Sequence, residues 1–252
     1  MPAEDIKWEI IKPISQLSDF VESFWMLANQ SETAHDIVVL PDGRFDIFFS
    51  YAENQPYHVT LMGLGSEPDE TIIAPKTVMF AISFKLLAIE FMLNIKLASI
   101  VNNAHTLPAG FWEITINDLD DFKAFCDKVS SKMLTLINPD IDSRKQKLFE
   151  LIYSSNGSLR VKELSEKVYW SSRQINRYFN RQFGLSLKAY CNILRFRASL
   201  PQIKNGRLFP EENFADQTHF IKQIKKFSGV VPKELLKNKN DRFILLSTLP
   251  AK

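Results

Sequence analysis

The chain has 252 residues, 45% of them hydrophobic and 24% charged, an ordinary composition for one large or two average globular domains. Its net charge of +2 hides an asymmetry: residues 1–150 carry 12 Lys+Arg against 22 Asp+Glu (net −10), and residues 151–252 carry 19 against 7 (net +12). The acidic half is a poor nucleic-acid surface, whereas the basic half has the electrostatic footprint of one.

In chain order, Met1-Pro-Ala-Glu-Asp-Ile6 lacks the basic start and apolar run of a secretory signal, and the expected location is the cytoplasm. Strand-like runs follow at Ile37–Leu40 and Phe45–Tyr51, separated by the turn signal Pro41-Asp42-Gly43, then at His58–Met62, Glu70–Ile73 and Val78–Phe84. The most apolar stretch, Met79–Val101, contains Lys85, Glu90, Asn94 and Lys96. A charge at the bilayer centre costs about 2.5–3.5 kcal/mol, so this stretch reads as a buried strand followed by an amphipathic helix, Leu86–Ile100, with no membrane as partner. Another helix is expected at Leu119–Ile137. Strands followed by helices predict an α+β domain over residues 1–138, with a cupin-like arrangement as one form it can take.

Within that domain Phe20, Phe24, Trp25, Phe45, Phe48 and Phe49 read as core or as the lining of an apolar pocket. Asp42, Arg44 and Asp46 read as a charged hairpin or as a site for a polar ligand. His35, His58 and His105 lack metal-ligand spacing and Cys126 and Cys191 lie far apart. Neither a metal nor a disulfide framework is therefore expected, and the thiols read as reduced and buried. No glycine-rich phosphate loop or catalytic constellation is present, so no cofactor and no enzymatic activity is expected. The competing class, an enzyme with a dispersed site in the acidic half, leaves no motif to find.

Asn138-Pro139-Asp140 marks a boundary, where proline stops one helix and aspartate caps the next. Beyond it the pattern is helical throughout: Ile141–Ser155, Val161–Val168, Ser171–Phe183, Leu187–Lys204 and Asp216–Phe227. These predict an all-α domain over residues 139–240, followed by a tail at 241–252.

Two segments of that domain repeat at a spacing of 45 residues, from Ser171 and from Asp216. Each starts on a helix-capping residue, continues through apolar positions (Ile175 and Phe220, Phe179 and Ile224) and stops at a glycine, Gly184 and Gly229. The short helix ending at Val168 and the helix from Ser171 form a helix-turn-helix pattern. On a helical wheel Arg173, Asn176, Arg177, Asn180 and Arg181 share one half, and Ile175, Tyr178, Phe179 and Gln182 the other. Guanidinium forks and amides on one side of such a helix are the groups that read guanine and adenine edges in a major groove. The plainer reading, a solvated basic face, is outweighed where the duplication, the short scaffold helix and the basic balance coincide.

The run from Asn156 to Ser165, Trp170 to Gly184, Arg195-Phe-Arg-Ala198 and Asp216 to Leu235 resembles the AraC/XylS family of transcription regulators. More weakly, Leu40-Pro-Asp-Gly-Arg-Phe-Asp-Ile-Phe-Phe49 and Ala81-Ile-Ser-Phe-Lys85 resemble the N-terminal domains of a subset of that family. The resemblance implies two helix-turn-helix units on double-stranded DNA, joined by a long helix. Arg173, Asn176 and Arg177 would read bases, with Arg181 on the same face, and Ser171 and Ser172 would meet phosphates. Thr218, Ile221 and Lys222, with Gln217 near the helix start, are the second unit's equivalents, and Lys226 is expected on phosphate.

It also implies an N-terminal domain that senses a small-molecule effector or supports a homodimer; a regulator controlled by a protein partner docking on the acidic half is a separate, third class beside the enzyme. The second unit departs from the family: Gly206 to Asp216 is about one helical turn short and contains Pro210, and Pro201 is expected to kink or end the connecting helix. One consequence is a second unit that touches mainly DNA backbone; the other is a recognition helix re-aimed to a different half-site spacing.

Overall fold

The computed structural model describes residues 6–211 and 214–249. It divides into two compact units. The first comprises residues to 36, 44–64 and 72–141; the second comprises 37–43, 65–71 and the chain from 142 onward. The two segments 37–43 and 65–71, drawn from the strand-rich half, therefore belong with the helices.

The first unit is built on a six-stranded antiparallel sheet in the order β1-β2-β7-β4-β5-β8. Its strands are β1 (Ile6–Ile11), β2 (Val21–Asn29), β4 (Phe45–Ala52), β5 (Gln55–Met62), β7 (Val78–Phe84) and β8 (Ala104–Leu107). β3 (His35–Val39) and β6 (Asp69–Ile73) pair separately as a two-stranded sheet. Register puts Phe24, Ile82, Ile47, Leu61 and His105 in one row across the six strands, and Phe80, Phe49, Val59 and Leu107 in the next. Facing residues of paired strands share a side of the sheet, so these two rows make its inner face.

Helix α1 (Phe122–Leu136) closes over the middle of that face. Its buried Phe122, Phe125, Cys126, Val129 and Met133 follow helical spacing, and Asp121 caps it by accepting from the Ala124 amide. Phe125 lies edge-on to Phe49 and Phe80, with centroids 5.3 and 5.4 Å away.

The expected helix Leu86–Ile100 is not formed. Ile89–Leu93 makes one π-type turn, Asn94 ends it in the left-handed region (φ 51°), and Ala98–Ile100 is a 3-10 turn. Leu86, Leu87, Ala88, Ile89, Phe91 and Met92 are all buried, and the exposed polar residues Asn94, Lys96 and Ser99 come only later, so the first two turns of the segment have no exposed polar face. It fills the core as irregular chain. Strands β1, β2 and β8 were not legible either. The pattern in β2 is buried on both sides for most of its length, which erases the alternation that marks a half-exposed strand.

The helices of the second unit are α2 (Ser143–Ser154), α3 (Val161–Val168), α4 (Ser172–Phe183), α5 (Leu187–Lys204), α6 (Gln217–Ser228), α7 (Pro232–Lys237) and α8 (Ile244–Ser247). α5 runs through Pro201, which was expected to kink or end it. Proline removes one hydrogen bond and costs about 3 kcal/mol. Buried Phe196, Leu200 and Ile203 hold the last turns in place against that loss.

These residues share a core with Phe220, Ile224 and Phe227 of α6, Leu235 of α7, Phe243, Leu246, and Val38 and Leu40 from segment 37–43. Residues 241–249 contribute to this core: Phe243 and Leu246 are core residues, and the Arg242 carbonyl accepts from the Val38 amide. At the other end of α5 the buried Tyr190 hydroxyl donates to the Gly43 carbonyl at 2.9 Å.

Gly157, between α2 and α3, has φ +70°, and a Cβ there would stand 2.6 Å from the Cys191 carbonyl oxygen. The obstacle is helix backbone, which cannot swing aside. Gly157→Ala is expected to destabilise the chain by about 1–3 kcal/mol, as overpacking does. A lower urea midpoint at constant m-value would register this, and an unchanged midpoint would refute it.

Candidate nucleic-acid interface

α4 starts on a reciprocal capping box. The Gln174 amide donates to Ser171 Oγ (3.3 Å), and Gln174 Oε1 accepts from the Ser171 amide (3.0 Å) and its hydroxyl (2.7 Å). Gly184, at φ 72°, closes the helix. Three residues separate α3 from α4, and Tyr169 among them takes a left-handed conformation (φ 53°) that turns the chain.

One side of α4 is clamped in aromatic packing. Phe179 and Phe183 are fully buried, with centroids 5.8 and 5.9 Å from Phe149 of α2 and 5.1 Å from each other. Tyr190 of α5 approaches Phe179 at 5.7 Å.

The other side carries Arg173, Arg177, Asn180 and Arg181, all exposed. Arg173, Arg177 and Arg181 follow one another at four-residue intervals, a stripe about 12 Å long at 1.5 Å rise per residue. Among the described residues none of the three makes an ion pair or side-chain hydrogen bond. The helix holds no carboxylate.

Asn176, expected on the same face, is placed differently. It is half-buried, its Nδ2 donates to the Ser172 carbonyl (3.0 Å) and its Oδ1 accepts from the Leu187 amide (3.3 Å). Its amide thus braces the corner between α4 and α5. Ser171 is exposed but its hydroxyl serves the cap, and Ser172 is half-buried.

α6 repeats the plan with lysines. Asp216 caps it by accepting from the His219 amide at 2.7 Å, and His219 Nδ1 in turn accepts from the Ala215 amide at 3.3 Å. His219 therefore has a structural position at the helix start. Thr218, Lys222, Lys225 and Lys226 are exposed, with Lys226 Nζ 5.1 Å from the Phe227 ring centroid.

Gln217 is half-buried and donates to the Leu208 carbonyl at 3.0 Å. Ile221 is half-buried and packs against the core of α5 and α6. Lys225, three residues after Lys222, joins the exposed face; it was not singled out, although its spacing is visible in the sequence. Between Gly206 and Asp216 no helix precedes α6 among the described residues.

In the first unit, Arg44 is buried and bonds Glu22 at 3.1 Å, and Asp46 accepts from the Trp25 indole at 3.3 Å. Both belong to the internal bonding of the sheet. His58 is held by Ser50 Oγ (3.2 Å) and the Pro56 carbonyl (2.9 Å). Among the described residues no three His, Cys, Asp or Glu side chains gather as metal ligands. Cys126 and Cys191 are free and buried, and burial pushes their thiols up to about 12 and about 11. No described helix is long and apolar enough to cross a membrane.

A family model described as a domain of unknown function, DUF6597, matches residues 9–106. No curated protein matches the chain by sequence. Among solved structures, ToxT from Vibrio cholerae O395 aligns at 12% identity and a TM-score of 0.47, over 98% of this chain and 100% of that one. Unsaturated fatty acid bound wild-type ToxT from Vibrio cholerae strain SCE256 aligns at 14% identity and a TM-score of 0.45, over 85% of this chain and 95% of that one.

Proposed function

We propose that the chain is a sequence-specific DNA-binding transcription regulator of the AraC/XylS type, reading the major groove with α4. The observation that carries this reading is the stripe of Arg173, Arg177 and Arg181, exposed and without an ion-pair partner among the described residues, on a helix whose opposite side is pinned by Phe179 and Phe183. A rigid helix with outward guanidinium forks loses little entropy on binding and presents bidentate donors to guanine O6 and N7.

Asn176 in this reading positions the α4–α5 corner, and Arg173 and Arg177 are the base readers. α6, with Thr218, Lys222, Lys225 and Lys226 outward and Ile221 half-buried, contacts mainly phosphates, because lysines act as point charges. The acidic first unit takes the sensory role.

Binding to a labelled duplex across a salt series tests the phosphate role. Lys226→Ala is expected to weaken binding to every sequence alike and to lower the salt slope by about one. An unchanged slope would remove Lys226 from the interface. A chain that ignores all duplexes at low salt would overturn the whole reading.

A further inference from the structure

α3, α4 and α6 each stop at a residue in the left-handed region, the usual way for a helix to release its chain into a turn. α4 and α6 use glycine there, at φ 72° and φ 76°, whereas α3 uses Tyr169 at φ 53°. A residue with a Cβ is strained in that region, and a bulky one is an outlier. Glycine would make the same turn freely.

Nothing inside the fold rewards the tyrosine. Tyr169 is 91% exposed, and among the described residues its ring has no aromatic contact and its hydroxyl no hydrogen bond. Trp112, also at positive φ (55°), is by contrast stacked on Phe111 with centroids 4.9 Å apart. Packing at the turn itself is supplied by Trp170, 5.3 Å from Tyr178. In the repeated unit the residue 45 positions on, Phe214, turns back to lie 5.1 Å from Phe220. A lone exposed aromatic needs no explanation. One held in a conformation that glycine would relieve points to a contact outside the chain.

Its position indicates which contact. Tyr169 stands two residues before the Ser171 cap and four before Arg173, at the end of α4 that a helix-turn-helix unit leads into the groove. The major groove is about 12 Å wide, so an exposed side chain just outside that leading end faces a phosphate wall. Lys167 and Arg173, on either side along the chain, are exposed and without ion-pair partners among the described residues. These flanking cations favour a polyanion over a protein surface.

We propose that Tyr169 is a backbone contact at the edge of the groove read by α4, its hydroxyl donating to a phosphate oxygen. The inference rests on the regulator reading given above. Such a contact positions α4 and carries no base preference.

Two variants of the full chain, each measured for stability and for duplex binding across a salt series, test it. Tyr169→Gly removes the side chain and the strain together. Its urea midpoint is expected to rise at constant m-value, while its affinity for every duplex falls at least fivefold. Tyr169→Phe keeps the ring and the strain, so its midpoint should stay put and its affinity fall at least threefold. The phenol is neutral and displaces no counterion, so both variants should keep the native salt slope, unlike Lys226→Ala.

A raised midpoint with unshifted affinity for Tyr169→Gly would overturn the contact and leave the residue to a protein partner. A lowered midpoint would overturn it by giving the ring a structural role. Full affinity in Tyr169→Phe, a loss confined to particular bases or a reduced salt slope would each overturn the phosphate hydrogen bond. The native chain separates the two levels: if it binds no duplex the regulator reading falls as well, whereas failure at Tyr169 alone leaves that reading standing.

Discussion

Phe179→Ala is expected to destabilise the chain by about 3–5 kcal/mol, the usual cost of emptying a buried phenylalanine site. Phe179 has no exposed surface and meets Phe149, Phe183 and Tyr190 at centroid distances of 5.8, 5.1 and 5.7 Å. Those partners come from α2, α4 and α5, so one truncation loosens the contacts that fix the direction of α4. Phe179→Leu, which keeps most of the volume, should cost less than about 1.5 kcal/mol. Denaturant titration of the two variants separates a clamp from a loosely held helix. If alanine cost under 1 kcal/mol, α4 would not be pinned and its outward stripe would have no fixed aim.

The double exchange Arg173→Ala with Arg177→Ala is expected to lower affinity for the preferred duplex by about 2–6 kcal/mol, from about 1–3 kcal/mol for each bidentate contact. Both side chains are exposed, so stability should move by no more than about 0.5 kcal/mol, which separates a binding defect from a folding defect. Arg177→Lys should behave much like Arg177→Ala, because an ammonium keeps the charge but cannot form the paired fork. The loss should concentrate at particular base positions. An equal loss on every sequence would make both arginines phosphate contacts and would take sequence reading away from α4.

Much of the helical unit was legible because its elements carry local punctuation. Ser171 and Asp216 start α4 and α6, Gly184 and Gly229 end them, and α3 and α5 have the bounds their periodicity implies. β7 and β4 were equally plain, being apolar runs set off by turn residues.

What failed did so where tertiary context overrides a local pattern. The 86–100 segment has the composition of a helix, but Leu86 to Met92 are buried apart from the half-buried Glu90, so nothing in that stretch selects a helix over an irregular core filling. Asn176 sits on the arginine side of the wheel, yet its amide meets the Leu187 amide eleven residues on, a contact no wheel displays. The same limit hides the membership of Val38, Leu40 and Phe243 in one helical core, since their partnership spans 200 residues of chain. Ile221 took a reader's position by alignment and lies half-buried against the core by packing.

Selection of bound duplexes from a random pool by the purified full chain, run in parallel with Arg177→Ala, tests the outward arginine stripe most directly. The native chain is expected to enrich one contiguous motif spanning a single major groove, with phosphate protection extending into the next, and the variant to lose selectivity at one base position of that motif. Enrichment of no motif, or of the same motif with unchanged selectivity by the variant, would contradict the account.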